Sequence, residues 1–219
     1  MTLFGREHDV FRARASSFVE SQLLPYESEW ERAGSLSRSA FQELGKQGFL
    51  GLNQPTDLGG SGLDFGYCVA FAEELPRSRM MGLTLSVIAQ CNIYASAISW
   101  LGTTSQKKMF LEPAIRGELI GSLAATEPAG GSDVLGAVHT TATDEGDSWV
   151  VSGEKKYITN GPIADAVVVL VRTKAERRLH SLTLVIVPTN IPGFRVKESL
   201  DKLGMHSSPT GWLEFDRCR

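Results

Sequence analysis

The feature that most constrains this chain is a change of period near Gly117. Before it, apolar residues recur at three- and four-residue spacing; after it, short extended runs follow one another. A chain written in two periods reads as a helical domain, 1–118, followed by a β domain, 119–219: an α+β fold. In the first half Val10, Phe11, Ala15, Phe18, Val19 and Leu23 mark one helical stretch, interrupted or kinked at Pro25. Ser37 reads as the N-cap of a helix carrying Phe41, Leu44 and Phe49, and 53–62 as a loop. Further helices are expected over 65–75, 82–101 and, with Ser105 as cap, up to residue 115. The 82–101 helix is apolar on several faces and reads as central and buried. Strands are expected over 120–125, 138–143, 149–152, 156–159, 166–171, 182–187 and 212–215, with turn signals at 144–147 and 160–162. Strands so spaced suggest a small antiparallel barrel or sandwich.

Composition removes several function classes. The net charge is −3, without the basic excess of a nucleic-acid binder. No apolar run is read as reaching the roughly 20 residues that cross a bilayer, so no membrane span is expected. Cys68, Cys91 and Cys218 form no paired motif, and the four histidines, His8, His139, His180 and His206, make no metal-ligand spacing. The expectation is a reduced, cytoplasmic protein without a metal.

The segment richest in chemistry is 125–134. It follows an apolar strand and opens a loop at Gly130 and Gly131, where backbone amides and the Ser132 hydroxyl suit a phosphate or pyrophosphate. On glycine and serine alone, a plain β-turn remains the simpler reading.

The longer strings go further. Thr126-Glu127-Pro128-x-x-Gly131-Ser132-Asp133 resembles the signature of the acyl-CoA dehydrogenase family. Gly153-Glu154-Lys155-Lys156-Tyr157-Ile158-Thr159-Asn160-Gly161 resembles its second flavin-contacting segment. Gly193-Phe194, the stretch 202–210 with Leu213 to Asp216, and the glycine-rich loop Leu58-Gly59-Gly60-Ser61-Gly62 follow the family's order and spacing, so the resemblance covers the whole chain.

The resemblance implies FAD-dependent α,β-dehydrogenation of an acyl-CoA or acyl-carrier thioester, within fatty-acid metabolism. It implies electron-transfer flavoprotein as acceptor and a homo- or hetero-oligomer. Carried over to this sequence, Thr126 would hydrogen-bond the flavin ring, with Leu123 and Ala125 lining it through their backbone. Gly131 and Ser132 would meet the pyrophosphate, Thr159 would bond near the reactive nitrogen, and Tyr157 would lie beside the ring, where the family often has Trp. Ser86, Ala89, Gln90 and Ile93, with Ser132, are the substrate-contact candidates. Glu127 and Asp133 read as structural, so no catalytic residue is assigned.

The family's catalytic carboxylate lies in a C-terminal helical domain, whereas this chain stops at Arg219. Three readings stand open: a segment of a longer protein, a subunit completed by another chain, or a two-domain remnant. The alternative to an enzyme is a subunit that holds flavin or acyl-CoA without turnover. A flavin monooxygenase of the wider superfamily is disfavoured by the intact Thr126-Glu127-Pro128 string.

Overall fold

The computed structural model describes residues 4–174 and 181–219; His180 lies outside them. The chain divides into two compact units: Met1–Ile120 with Asp201–Ser208, and Gly121–Leu200 with Pro209–Arg219.

The first unit is helical. Helix α1 (Arg6–Phe18) continues as a π-helical segment, Val19–Leu23, and a 3-10 turn, Leu24–Tyr26, at Pro25. Then come α2 (Glu27–Ala33), α3 (Arg38–Lys46) and α4 (Phe65–Glu74). Ser37 and Asp64 cap α3 and α4 through their side chains. Phe49 is the hub of the core: its ring stacks on Phe71 at 4.7 Å and tilts against Phe18 at 5.1 Å.

Helix α5 (Met81–Ile88), the π-helical turn Ala89–Tyr94 and α6 (Ala95–Leu101) form one continuous rod. Contrary to the sequence expectation, its 21 residues are long and apolar enough to cross a membrane. Thr84, Ser86, Gln90, Asn92 and Ser96 break the apolar run in the sequence without lowering its average below that of a span. Most of the rod is buried inside the unit, as a soluble core helix would be.

The next helical run is α7 (Thr104–Gln106), a π segment and α8 (Glu112–Ile115). Its cap is Thr103, not Ser105: the Thr103 hydroxyl accepts from the Gln106 amide, and the Gln106 side chain accepts from the Thr103 amide.

The second unit is one curled sheet of β1 (Gly121–Ala124), β2 (Thr141–Asp144), β3 (Trp149–Thr159), β4 (Ala166–Arg172), β5 (Leu182–Pro188), β6 (Phe194–Ser199) and β7 (Thr210–Cys218). The order is β1-β4-β2-β3-β7-β6, with β5 also on β4. The sheet is mixed rather than wholly antiparallel: β1 and β2 each pair β4 in parallel. Strand β4, Ala-Val-Val-Val-Leu-Val-Arg, is buried on both faces, as its unbroken apolar run requires. Val167, Val169, Val171, Ile158, Leu213 and Phe215 form the core.

The expected strands 149–152 and 156–159 are one strand, β3, whose register against β7 shifts twice, at Val151/Gly153 and at Lys155/Ile158. The run expected over 138–143 is shorter: after α9 (Val134–Ala137), the His139 and Thr140 amides donate to the Glu127 carboxylate, and the strand begins at Thr141. Strand β6 was not expected; its residues are mostly exposed, and its apolar–polar alternation lasts only from Phe194 to Lys197.

Candidate functional site

The two strings singled out in the β unit are fastened to each other. The Lys156 amide donates to the Thr126 carbonyl at 2.9 Å. The Lys155 ammonium donates to the Ala125 carbonyl at 3.0 Å and to Glu127 Oε1 at 2.9 Å. Glu127 also accepts from the His139 amide at 2.7 Å and the Thr140 amide at 2.9 Å. Lys155 is 0% exposed and Glu127 5%, so both charges are desolvated and depend on these partners. Burial pulls the Lys155 ammonium below the ordinary lysine range, against the opposing pull of Glu127. Burial also works to raise the Glu127 carboxyl, but hydrogen bonds from Thr140, His139 and Lys155 overcome it and hold the group below the ordinary carboxylate range. Glu127 is therefore a structural anchor, as the sequence reading has it.

The loop leaves this anchor through a tight turn in which Glu127 and Gly130 exchange backbone hydrogen bonds. Asp133 then caps α9, its Oδ1 accepting from the Gly136 amide at 2.8 Å. Gly131 is not held to glycine by its own chain. A Cβ there would meet only Thr126 Cγ2, at an ordinary 3.6 Å. Gly131 is exposed, so its backbone is open to approach from outside the chain.

Tyr157 stands at the second register shift with φ 64°, a conformation that costs a non-glycine residue about 1–3 kcal/mol and persists only where its surroundings impose it. The residue is 62% exposed. Two residues on, Thr159 ends β3, and its carbonyl accepts from the Ser122 hydroxyl.

Among the described residues, the hydroxyls of Thr126, Ser132, Tyr157 and Thr159 make no hydrogen bond. Two adjoining backbone segments thus offer uncommitted donors, an exposed glycine backbone and an exposed aromatic residue. That set fits a flavin dinucleotide: hydroxyls for the ring's polar edge and the phosphates, a ring face for stacking. Leu123 lies in β1 opposite Val168, and Ala125 follows that strand with its carbonyl already taken by Lys155.

The substrate-contact candidates of the helical unit fare differently. Ser86 is buried and donates to Ser208 at 3.2 Å. Gln90 is buried and donates to the carbonyls of Ala114 and Leu119 at 3.3 and 2.8 Å. Both polar groups are used in holding the unit together, which corrects the expectation that they face a ligand. Ala89 is buried and Ile93 exposed. The unit does contain a small cavity of about 10 Å³, lined from the same rod by Val87, Ile88, Cys91 and Asn92, and by none of those four candidates. The glycine-rich loop at 58–62 is likewise internal: a Cβ on Gly60 would fall 2.2 Å from the Gln54 carbonyl oxygen, so the loop needs glycine to close on itself.

Sequence reasoning missed Lys155 and Ser122. The available signals were a charged residue at an inward position of an alternating strand, which demands a carboxylate, and a hydroxyl inside an otherwise apolar strand.

Residues 5–118 match the acyl-CoA dehydrogenase N-terminal domain, and residues 122–218 match the acyl-CoA dehydrogenase middle domain. The chain belongs to the acyl-CoA dehydrogenase family. It is 36% identical over 219 residues to the long-chain specific acyl-CoA dehydrogenase, mitochondrial, of Rattus norvegicus, covering 99% of this chain and 50% of that protein. Its fold matches a structure described as an electron transferring flavoprotein of Acidaminococcus fermentans, with TM-score 0.92, 32% identity, and coverage of 98% of this chain and 56% of that one. It also matches a glutaryl-CoA dehydrogenase of Mycobacterium smegmatis in complex with FADH2, with TM-score 0.90, 28% identity, and coverage of 99% and 54%. The chain thus spans about half the length of the relatives it matches.

Proposed function

We propose that this chain is the FAD- and acyl-binding part of a dehydrogenase that forms an α,β double bond in an acyl-CoA or acyl-carrier thioester. The observation that carries the reading is the set of uncommitted hydroxyls at Thr126, Ser132 and Thr159, held on segments joined by the buried Lys155–Glu127 pair. The FADH2 complex of the Mycobacterium smegmatis relative supports the choice of cofactor.

In this reading Thr126 and the backbone of Leu123 and Ala125 hold the flavin ring, with Tyr157 against it. Gly131 and Ser132 receive the pyrophosphate, and Thr159 donates at the ring's reactive edge. Bound there, FAD would supply the acceptor for the β-hydride. The α-proton needs a free base within hydrogen-bond reach. Glu127 is committed to Lys155 and two amides, and Asp133 to its helix. The family resemblance implies where the base lies: on a C-terminal helical segment or partner outside residues 1–219. Electron-transfer flavoprotein is the proposed acceptor, an oligomer the working form and a reducing, cytoplasm-like compartment its setting.

The test is to purify the complete protein, identify any flavin released on denaturation, and add acyl-CoAs of several lengths anaerobically. FAD, bleached by at least one acyl-CoA, is expected. FMN, or no flavin after reconstitution, would overturn the reading.

A further inference from the structure

Ser122 is the second residue of β1 and is 1% exposed. Its hydroxyl donates to the Thr159 carbonyl at 2.6 Å. Strands β1 and β3 are not neighbours in the sheet: β4 and β2 lie between them in its order, so no ladder bond joins them. The serine side chain makes a link that the backbone pattern does not.

That link falls on a particular peptide. The carbonyl of Thr159 and the amide of Asn160 share one rigid plane. The carbonyl end is held by Ser122, and the amide end donates to the Pro209 carbonyl at 2.8 Å. Asn160 itself is buried and left-handed, φ 62°. A peptide plane pinned at both edges leaves little freedom in the backbone torsion of Thr159, and so fixes where its side chain points. The Thr159 hydroxyl has no partner among the described residues, and the residue is only partly buried, so a held side chain presents that hydroxyl to a group from outside the chain. The serine hydroxyl gives the Thr159 carbonyl a side-chain donor from a buried position.

We propose that Ser122 is a positioning residue for Thr159, aiming its hydroxyl at the flavin edge by locking the Thr159–Asn160 peptide. The proposal rests on the flavin reading above. It adds a residue that touches neither cofactor nor substrate and acts only through Thr159.

The experiment uses the complete protein freed of flavin, with Ser122→Ala, Thr159→Val and the double variant. Without flavin, hydrogen exchange at the Asn160 amide is expected to quicken about 10-fold in Ser122→Ala, while the Val167 to Val169 amides of the central strand keep their rates. With FAD titrated in, Ser122→Ala is expected to weaken binding about 10-fold and to shift the flavin's visible band. In the Thr159→Val background the same change is expected to cost less than about 2-fold, because the residue it acts through is gone. An equal loss in both backgrounds, uniform quickening of all amides, or unchanged FAD binding in Ser122→Ala would overturn the proposal while leaving the flavin reading standing. Wild-type protein that takes up no FAD overturns both.

Discussion

Replacing Lys155 by Met removes the ammonium and keeps most of the volume. Lys155 is 0% exposed and Glu127 5%, so the carboxylate left behind has little access to solvent. Breaking such a pair from one side costs about 3–5 kcal/mol. Glu127 keeps two backbone donors, His139 and Thr140, which places the cost at the lower end, near 3 kcal/mol. The Ala125 carbonyl also loses its donor. At about 1.4 kcal/mol per factor of ten, 3 kcal/mol is roughly a 100-fold rise in the unfolded population of the β unit. Native-state hydrogen exchange at Val167, Val168 and Val169, buried in the central strand, reads that population. The rates at all three amides should rise about 100-fold together. The double variant with Glu127→Gln should cost less than the sum of its parts, since no unpaired charge remains. A rise below about 5-fold in Lys155→Met, near 1 kcal/mol, would refute the argument that this pair fastens the two segments.

Four further outcomes follow from the same structure. Because the folded state holds Glu127 below its unfolded carboxylate range, it binds fewer protons than the unfolded chain there. Stability from this group is then full above about pH 4.3 and falls as pH drops through the folded value, and acid unfolding followed by circular dichroism should show a shallower limb in Glu127→Gln. Ser132→Glu places a negative charge where the phosphates are assigned, so flavin retention through gel filtration should fall; unchanged retention removes Ser132 from the phosphate site. Thr159→Val should slow flavin reduction by acyl-CoA by roughly 1–3 kcal/mol in barrier, more than it weakens FAD binding, and stopped-flow bleaching set against equilibrium titration separates the two. Burial raises the thiol pKa of Cys68, Cys91 and Cys218, so native protein should alkylate slowly at pH 8; all three thiols should react at once after denaturation without reductant, and a recovered disulfide would contradict the reduced state.

Much of this molecule is legible in its sequence because local chemistry and global fold agree. Ser37 caps where its position before an amphipathic run says it should, and the all-apolar β4 is buried on both faces. Legibility fails where tertiary structure overrides a local signal. Gly153 and the left-handed Tyr157 look like breaks between two strands, but pairing with β7 absorbs both as register shifts. Strand β6 is an edge strand with mostly exposed residues, so its alternation is brief, from Phe194 to Lys197, and marks no buried face. In the candidate site, Thr126, Ser132 and Thr159 were readable because they sit in strings that resemble a family. Lys155 and Ser122 were not, because their roles depend on partners 28 and 37 residues away. Gln90 misled for the opposite reason: a polar residue in an apolar helix reads as ligand-facing, but here it serves carbonyls of its own unit.

The account stands or falls on whether the β unit holds FAD through these hydroxyls. The direct measurement is a crystal structure of the complete protein grown with FAD. It should show Thr126 Oγ1, Ser132 Oγ and Thr159 Oγ1 within about 3 Å of flavin or phosphate acceptors, with the Tyr157 ring against the isoalloxazine and the Ser122–Thr159 bond intact. FAD bound elsewhere on the chain, or bound with those three hydroxyls still unpartnered, would contradict it.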